Sequence, residues 1–302
     1  MAFASASLDF VRKNADKETN YREDQKELIE KALDITNGDP LGSLQYIVSC
    51  FAHEGINVEF EFEYCVDNII TMFLPIVEIE PKDPLGFYVI WGDGTMTHNE
   101  TRHIYKSEKE PVNYKIRFFG LGIKQFGRDM PYNGITKIIS FGNLGHTFTS
   151  LAYACSRCLN LESVPPNIPR TITDLSFMFQ HCYNFNFSIE TWDVSNVTNM
   201  KCMFMNCQKF NQGLNSWNTS NVTDMSYMFV SCHSFNQTLN SWDTKNVTDM
   251  AYMFEGCYEF NHPIDKWDFS NVTNTNFMFK KCHAYEKTAG PWDIVTLTKI
   301  RS

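Results

Sequence analysis

The chain is predicted to be α+β, with N-terminal helices, a small β-sandwich-like domain and a solenoid of 25-residue coils. Three observations carry this. Apolar residues recur at helical spacing before about residue 53, they alternate from about residue 57, and from residue 178 one pattern repeats five times without a slip. Met178-Phe179, Met203-Phe204, Met228-Phe229, Met253-Phe254 and Met278-Phe279 mark the period. Cys182, Cys207, Cys232, Cys257 and Cys282 follow, then Trp192, Trp217, Trp242, Trp267 and Trp292. Such a period marks stacked units that cannot bury an apolar face alone, and it moves the search for function from a pocket to a surface. The expected domains are a helical segment at 1–56, a β-domain at 57–134 and the solenoid at 135–302.

In the first segment, Leu28, Ile29, Ala32 and Leu33 precede Asn37-Gly38, and Leu44, Ile47, Val48 and Phe51 precede Gly55. This reads as two helices joined at Asp39-Pro40. The first twenty residues are polar and mixed in charge, the composition of a flexible arm or of a further helix. In the second segment Val58, Phe60, Phe62 and Tyr64 alternate with glutamates, the pattern of a strand with one wet face. The run from Ile69 to Val77 is a buried strand candidate, and Phe87 to Trp91 ends in the tight turn Gly92-Asp93-Gly94-Thr95. His103-Ile104-Tyr105 and alternating Tyr114, Ile116 and Phe118 complete an antiparallel set. The Trp-Gly-Asp-Gly-Thr turn, the His-x-Tyr and the alternating strand resemble the PKD-type β-sandwich over about residues 57–125. Ile135 to Phe141 is a further strand, and Leu151 to Leu161, with Cys158, is a degenerate first coil.

Within residues 221–245, Asn221 is placed to cap a turn, and Val222, Met225, Met228 and Phe229 share a helical face. Phe235 and Leu239 flank a short extended segment, and Trp242 closes the coil. The five units resemble the mycoplasma-type repeat of the BspA-like family, which reads roughly Asn-Val-Thr-Asp-Met-x-x-Met-Phe-x-x-Cys-x-x-Phe-Asn-x-x-Leu-x-x-Trp. The resemblance implies a leucine-rich-repeat-like solenoid with one short strand per coil, and roles in adhesion or protein binding on bacterial surfaces, in protists or in large DNA viruses.

Composition narrows the function. A net charge of -9 without a basic run argues against nucleic acid as a partner. No secretion signal and no membrane-length apolar stretch is read, so membrane insertion is not expected and a virion or cytoplasmic location is. The phase-locked cysteines are expected as buried free thiols rather than disulfides. Asp193, Asp243, Asp268 and Asp293, interrupted by Asn218, suit turn capping better than calcium, which wants six or more oxygens. His181, His233 and His283 beside the cysteines lack the convergence zinc requires, and Cys155-x-x-Cys158 matches a core phase rather than a redox pair. The tryptophans are expected in the core, with an exposed sugar-binding row as the alternative. Asn186, Asn211, Asn236 and Asn261 are expected to hydrogen-bond between coils and form the candidate interaction surface. Sequons at Asn99, Asn196, Asn221, Asn246 and Asn271 follow from the repeat. No catalytic, cofactor or metal residues are assigned. The expected function is a non-enzymatic structural or protein-interaction protein, with capsid or other assembly subunits as partners, in its most concrete form a minor capsid or other virion component. A surface adhesin or carbohydrate-binding module is the alternative.

Overall fold

The computed structural model describes residues 30–53, 59–66, 70–78, 85–106, 110–120, 122–130, 134–142 and 146–288. The chain divides into two compact units, one of residues 1–124 with 138–148 and one of 125–137 with 149–302.

In the first unit residues 30–35 are helical and end at Asn37 and Gly38, whose φ of 53° and 79° let the Gly38 amide bond back to the Leu33 carbonyl at 2.7 Å. Leu28 and Ile29 lie outside the described residues. Helix α1 (Pro40–His53) begins with proline in its first turn, and the Gly42 amide donates to Asp39 Oδ2 at 2.9 Å, an N-cap. Leu44 and Ile47 are fully buried.

Among the described residues nine strands follow: β1 (Phe60–Val66), β2 (Ile70–Phe73), β3 (Ile76–Glu78), β4 (Tyr88–Ile90), β5 (Met96–His98), β6 (Arg102–Tyr105), β7 (Val112–Phe119), β8 (Ile123–Phe126) and β9 (Ile135–Phe141). They form one five-stranded sheet of order β5-β4-β7-β1-β9 and two pairs, β2-β6 and β3-β8. The run from Ile69 to Val77 is not one strand, because Pro75 has no N–H for a ladder and splits it into β2 and β3. In β1 and β7 the register pairs Phe60 with Phe118, their rings stacked at 4.9 Å, and Phe62 with Ile116, all fully buried. Glu59 is 6 % exposed and balanced by Tyr88 Oη, which donates at 2.6 Å, and by Arg117 at 2.9 Å. Burial and the Glu59 carboxylate push the Tyr88 phenol up.

The β4–β5 turn is closed by the Trp91 amide donating to the Thr95 carbonyl at 3.0 Å. Gly92 has φ of 85°, and a Cβ there would meet the Lys115 carbonyl oxygen at 2.7 Å. Asp93 Oδ1 accepts from the Thr95 amide and hydroxyl, and its Oδ2 lies 2.7 Å from His103 Nε2. The His103 ring stacks on buried Trp91 at 4.7 Å.

The expected fold class is corrected. The described residues are mostly small antiparallel sheets and turns with little helix, and the repeats do not form a leucine-rich-repeat-like solenoid with a helical face and a strand in each coil. The backbone explains why. In residues 175–182 the amides of Met178, Gln180 and Cys182 donate three residues back, to Leu175, Phe177 and Phe179. The alternate amides of Leu175, Phe177, Phe179 and His181 donate instead to Asn199, Lys201, Met203 and Met205 of the next unit, at 2.8–3.0 Å. Phe177 and His181 take φ of 58° and 60°, which neither an α-helix nor a strand permits and which places them at the third position of overlapping four-residue turns. Val222, Met225, Met228 and Phe229 are therefore buried by a run of turns rather than by one helical face. Parallel bridges run from unit to unit in the series Gln125, Ser150, Asp174, Asn199, Asp224, Asp249, Asn274, with a further one between Lys137 and Ser163.

Ring columns fill the interior of the repeats. Phe179, Phe204, Phe229, Phe254 and Phe279 stack at centroid separations of 5.8, 5.5, 5.6 and 5.5 Å. Phe185, Phe210, Phe235 and Phe260 form a second column, and helix α2 (His283–Thr288) lays Tyr285 on Phe279 at 4.3 Å and on Phe260 at 5.9 Å. Burying rings of this size accounts for most of what such a unit gains on stacking.

Candidate functional site

The repeat cysteines and tryptophans are interior. Cys182, Cys207, Cys232, Cys257 and Cys282 are at most 1 % exposed and are free thiols. Cys207 Sγ donates to the Phe179 carbonyl of the preceding unit, and the same bond recurs from Cys232 to Phe204 and from Cys257 to Phe229, each at 3.0 Å. Burial pushes the Cys182, Cys207, Cys232 and Cys257 thiols up and so disfavours the thiolate form that a nucleophile or metal ligand needs. Trp192, Trp217, Trp242 and Trp267 are 2–6 % exposed, and Trp292 lies outside the described residues. Trp217, Trp242 and Trp267 donate Nε1–H to the carbonyls of Ile189, Leu214 and Leu239 one unit back, at 2.8–3.1 Å. No sugar can stack on rings so buried.

Asn186, Asn211, Asn236 and Asn261 line the outside. The Oδ1 atoms of Asn186, Asn211 and Asn236 each accept the amide of the next asparagine, at 2.9–3.0 Å. The sequon asparagines are engaged too, with Asn221, Asn246 and Asn271 Nδ2 donating at 2.7 Å to Ser195, Ser220 and Lys245 carbonyls. A glycan on those nitrogens would have to break that bond. Asp193, Asn218, Asp243 and Asp268 hold their own turns by accepting the amide two residues on. Among the described residues no group of three or more His, Cys, Asp or Glu side chains is placed to hold a metal ion, and no helix is long and apolar enough to cross a membrane.

One exposed feature was not singled out from the sequence. Tyr153, Phe177, Cys202, Tyr227, Tyr252 and Phe277 occupy one position of successive units, all with φ between 54° and 62°; the five rings are half-buried or exposed, and Cys202 is buried. Tyr153 stacks on Phe177 at 4.5 Å and 3°, Tyr227 on Tyr252 at 4.7 Å and 11°, and Phe277 closes on Tyr252 at 5.0 Å. Phe277 is 55 % exposed. A second outer column runs His233, Tyr258, His283 at 4.5 and 5.5 Å. Because ring faces meet within each column, the surface shows ring edges and hydroxyls.

A family model matches the repeats. It is described as Mycoplasma protein of unknown function, DUF285, and it aligns with residues 160–243 and 215–302. The repeat half is thus similar to that Mycoplasma-type repeat family. No curated protein and no solved structure matches the chain.

The outward column was readable in principle. It is the residue before each Met-Phe pair, aromatic in four of the five units, and it reads as variable filler until the backbone places it in the left-handed region.

Proposed function

We propose that the chain is a non-enzymatic protein-interaction module whose contact surface is the outer turn face of the repeats. The observation that supports this reading is the pair of outward aromatic columns, ring edges exposed and side chains held by stacking, so that little rotamer freedom is lost on docking. The segment before the repeats is read as PKD-like from its Trp91 to Thr95 turn. The narrower form, a minor capsid or other virion component bound to assembly subunits, rests on the family resemblance alone. The adhesin or carbohydrate-binding alternative wants open ring faces and is less favoured. Recovery of the full chain from its native source, with quantitative mass spectrometry of what accompanies it, is the test. A partner in fixed ratio that is lost with Tyr227→Ser/Tyr252→Ser supports the reading. Full retention of every partner by that variant overturns it, and recovery with capsid proteins decides the narrower form.

A further inference from the structure

The second outer column places a tyrosine between two imidazoles. The Tyr258 ring lies near-parallel to His233 at 4.5 Å and 9°, and to His283 at 5.5 Å and 14°. Tyr258 is 39 % exposed, His233 is half-buried and His283 is exposed, so all three reach solvent. Stacking through one tyrosine holds the imidazoles about 10 Å apart, two unit spacings. That exceeds the screening length of about 8 Å at physiological salt, so a proton on one adds little penalty to a proton on the other. Both imidazoles also lie within the roughly 6 Å over which a cation is drawn to a ring face. The other histidines of the repeat units are held differently. Burial and the Arg157 guanidinium push His181 down, which favours its neutral form, and His262 Nε2 lies 3.1 Å from the Asn236 carbonyl on the asparagine ladder. Charged positions next to the column are Lys209, Lys281 and Glu259, all exposed, and Glu255 is paired with Lys280 at 2.9 Å. Carboxylates and ammonium groups there nearly cancel, so two imidazolium charges would dominate this part of a chain whose net charge is -9 with neutral histidines.

We propose that the column of His233, Tyr258 and His283 is a pH-gated contact for an acidic segment of a partner protein, engaged when both imidazoles carry protons and released at neutral pH. The inference rests on the reading of the repeats as a protein-interaction module and names the partner's charge and the condition of binding. An imidazole side chain changes charge between about pH 5 and 8. A partner is gated by groups that tell the two charge states apart, and carboxylates do, because each imidazolium N–H offers one of them a charge-assisted bond. Two stacked rings at a fixed spacing present those donors together, so little side-chain freedom is lost on binding.

The test is an NMR titration of the full chain at about pH 5.5 and about pH 7.5 with capped hexa-aspartate, whose carboxylates stay ionised at both. Capped hexa-asparagine is the neutral control. Saturable shifts are expected at the ring protons of His233, Tyr258 and His283 with hexa-aspartate, which should bind about five- to twentyfold tighter at the lower pH, as two exposed ion pairs allow. His233→Gln/His283→Gln should fold, because Gln208 already holds this position in its own unit, and should lose the pH preference. His233→Phe/His283→Phe keeps a ring on each side of Tyr258 but takes no proton, so it too should bind equally at both pH values. No saturable binding, equal affinity of the parent at the two pH values, a preference that survives in either double variant, or equal shifts with hexa-asparagine would overturn the gate. If the gate is overturned while Tyr227→Ser/Tyr252→Ser still releases a native partner, the gate is wrong and the interaction face stands.

Discussion

Ser231 and Gly256 occupy the same position of consecutive units, and opposite substitutions there should move stability in opposite directions. Their φ values are 56° and 73°, in a region that costs an L-residue about 1–2 kcal/mol. Ser231→Gly removes that cost, offset by the extra freedom of glycine in the unfolded chain, about 0.5–1 kcal/mol. The Ser231 amide bond to the Glu255 carbonyl at 2.7 Å is retained. The expected net gain is about 0.5–1 kcal/mol. In Gly256→Ala the new Cβ meets Ser231 Oγ at 3.5 Å, an ordinary contact, so no clash is added and the loss is the backbone cost, again about 0.5–1 kcal/mol after the same offset. Urea midpoints and melting temperatures read both. For a unit of this size the melting shift is about 1–4 °C, upward for the first and downward for the second. A lowered midpoint for Ser231→Gly, or no change for Gly256→Ala, would refute the account of the turns as strained.

Trp242→Phe keeps a ring between Trp217 and Trp267 but loses the Nε1 bond to the Leu214 carbonyl, which still accepts the Trp217 amide, so a loss of about 1–2 kcal/mol is expected in urea unfolding. The Ser195 hydroxyl and amide, with Arg170 nearby, hold the Asp193 carboxyl below its ordinary value of 3.8 against a smaller opposing effect of burial. Its stabilisation is therefore complete above that value and is lost as pH falls through the lower folded value; Asp193→Asn should flatten this acid limb in melting curves between about pH 2 and 5. Alkylation of the native chain at about pH 8, read by peptide mass spectrometry, should modify half-buried Cys65 well before Cys182, Cys207, Cys232 or Cys257, because burial keeps those thiols protonated. Cys202, pushed up to about 12 by burial, should also lag behind Cys65.

What the sequence made legible was periodicity, and what it hid was backbone conformation. Phe179, Phe185, Cys182 and Trp192 recur in phase and are buried, as a unit that stacks must bury its phase-locked large side chains. It misled on how they are buried. Val222, Met225, Met228 and Phe229 suit a helix by spacing, yet Tyr227 and Ser231 sit at φ of 60° and 56°, and no rule of apolar spacing announces a left-handed tyrosine. Alternation located β1 and β7, while the apolar run through Pro75 read as one strand because the missing N–H matters only once pairing is known. The outer column escaped for the same reason as the turns. Its phase is regular, but which phase of a run of turns faces outward is set by the backbone and not by apolar spacing.

The bonds between units run in two directions at once. Turn amides reach forward, from Phe204 to Met228 and from Phe229 to Met253, whereas thiols, indoles and sequon amides reach back, as from Cys232 to Phe204, Trp242 to Leu214 and Asn246 to Ser220. Every unit thus offers the same socket to the one after it and the same plug to the one before. Removing residues 221–245 would join Ser220 to Asn246 and leave each surviving donor an equivalent acceptor, whereas losing any fraction of a unit would misalign all of them. Such a chain can change its length by whole copies with little penalty, so the number of rings in its outer columns, and with it the reach of the surface, is a quantity that duplication and loss adjust in single steps.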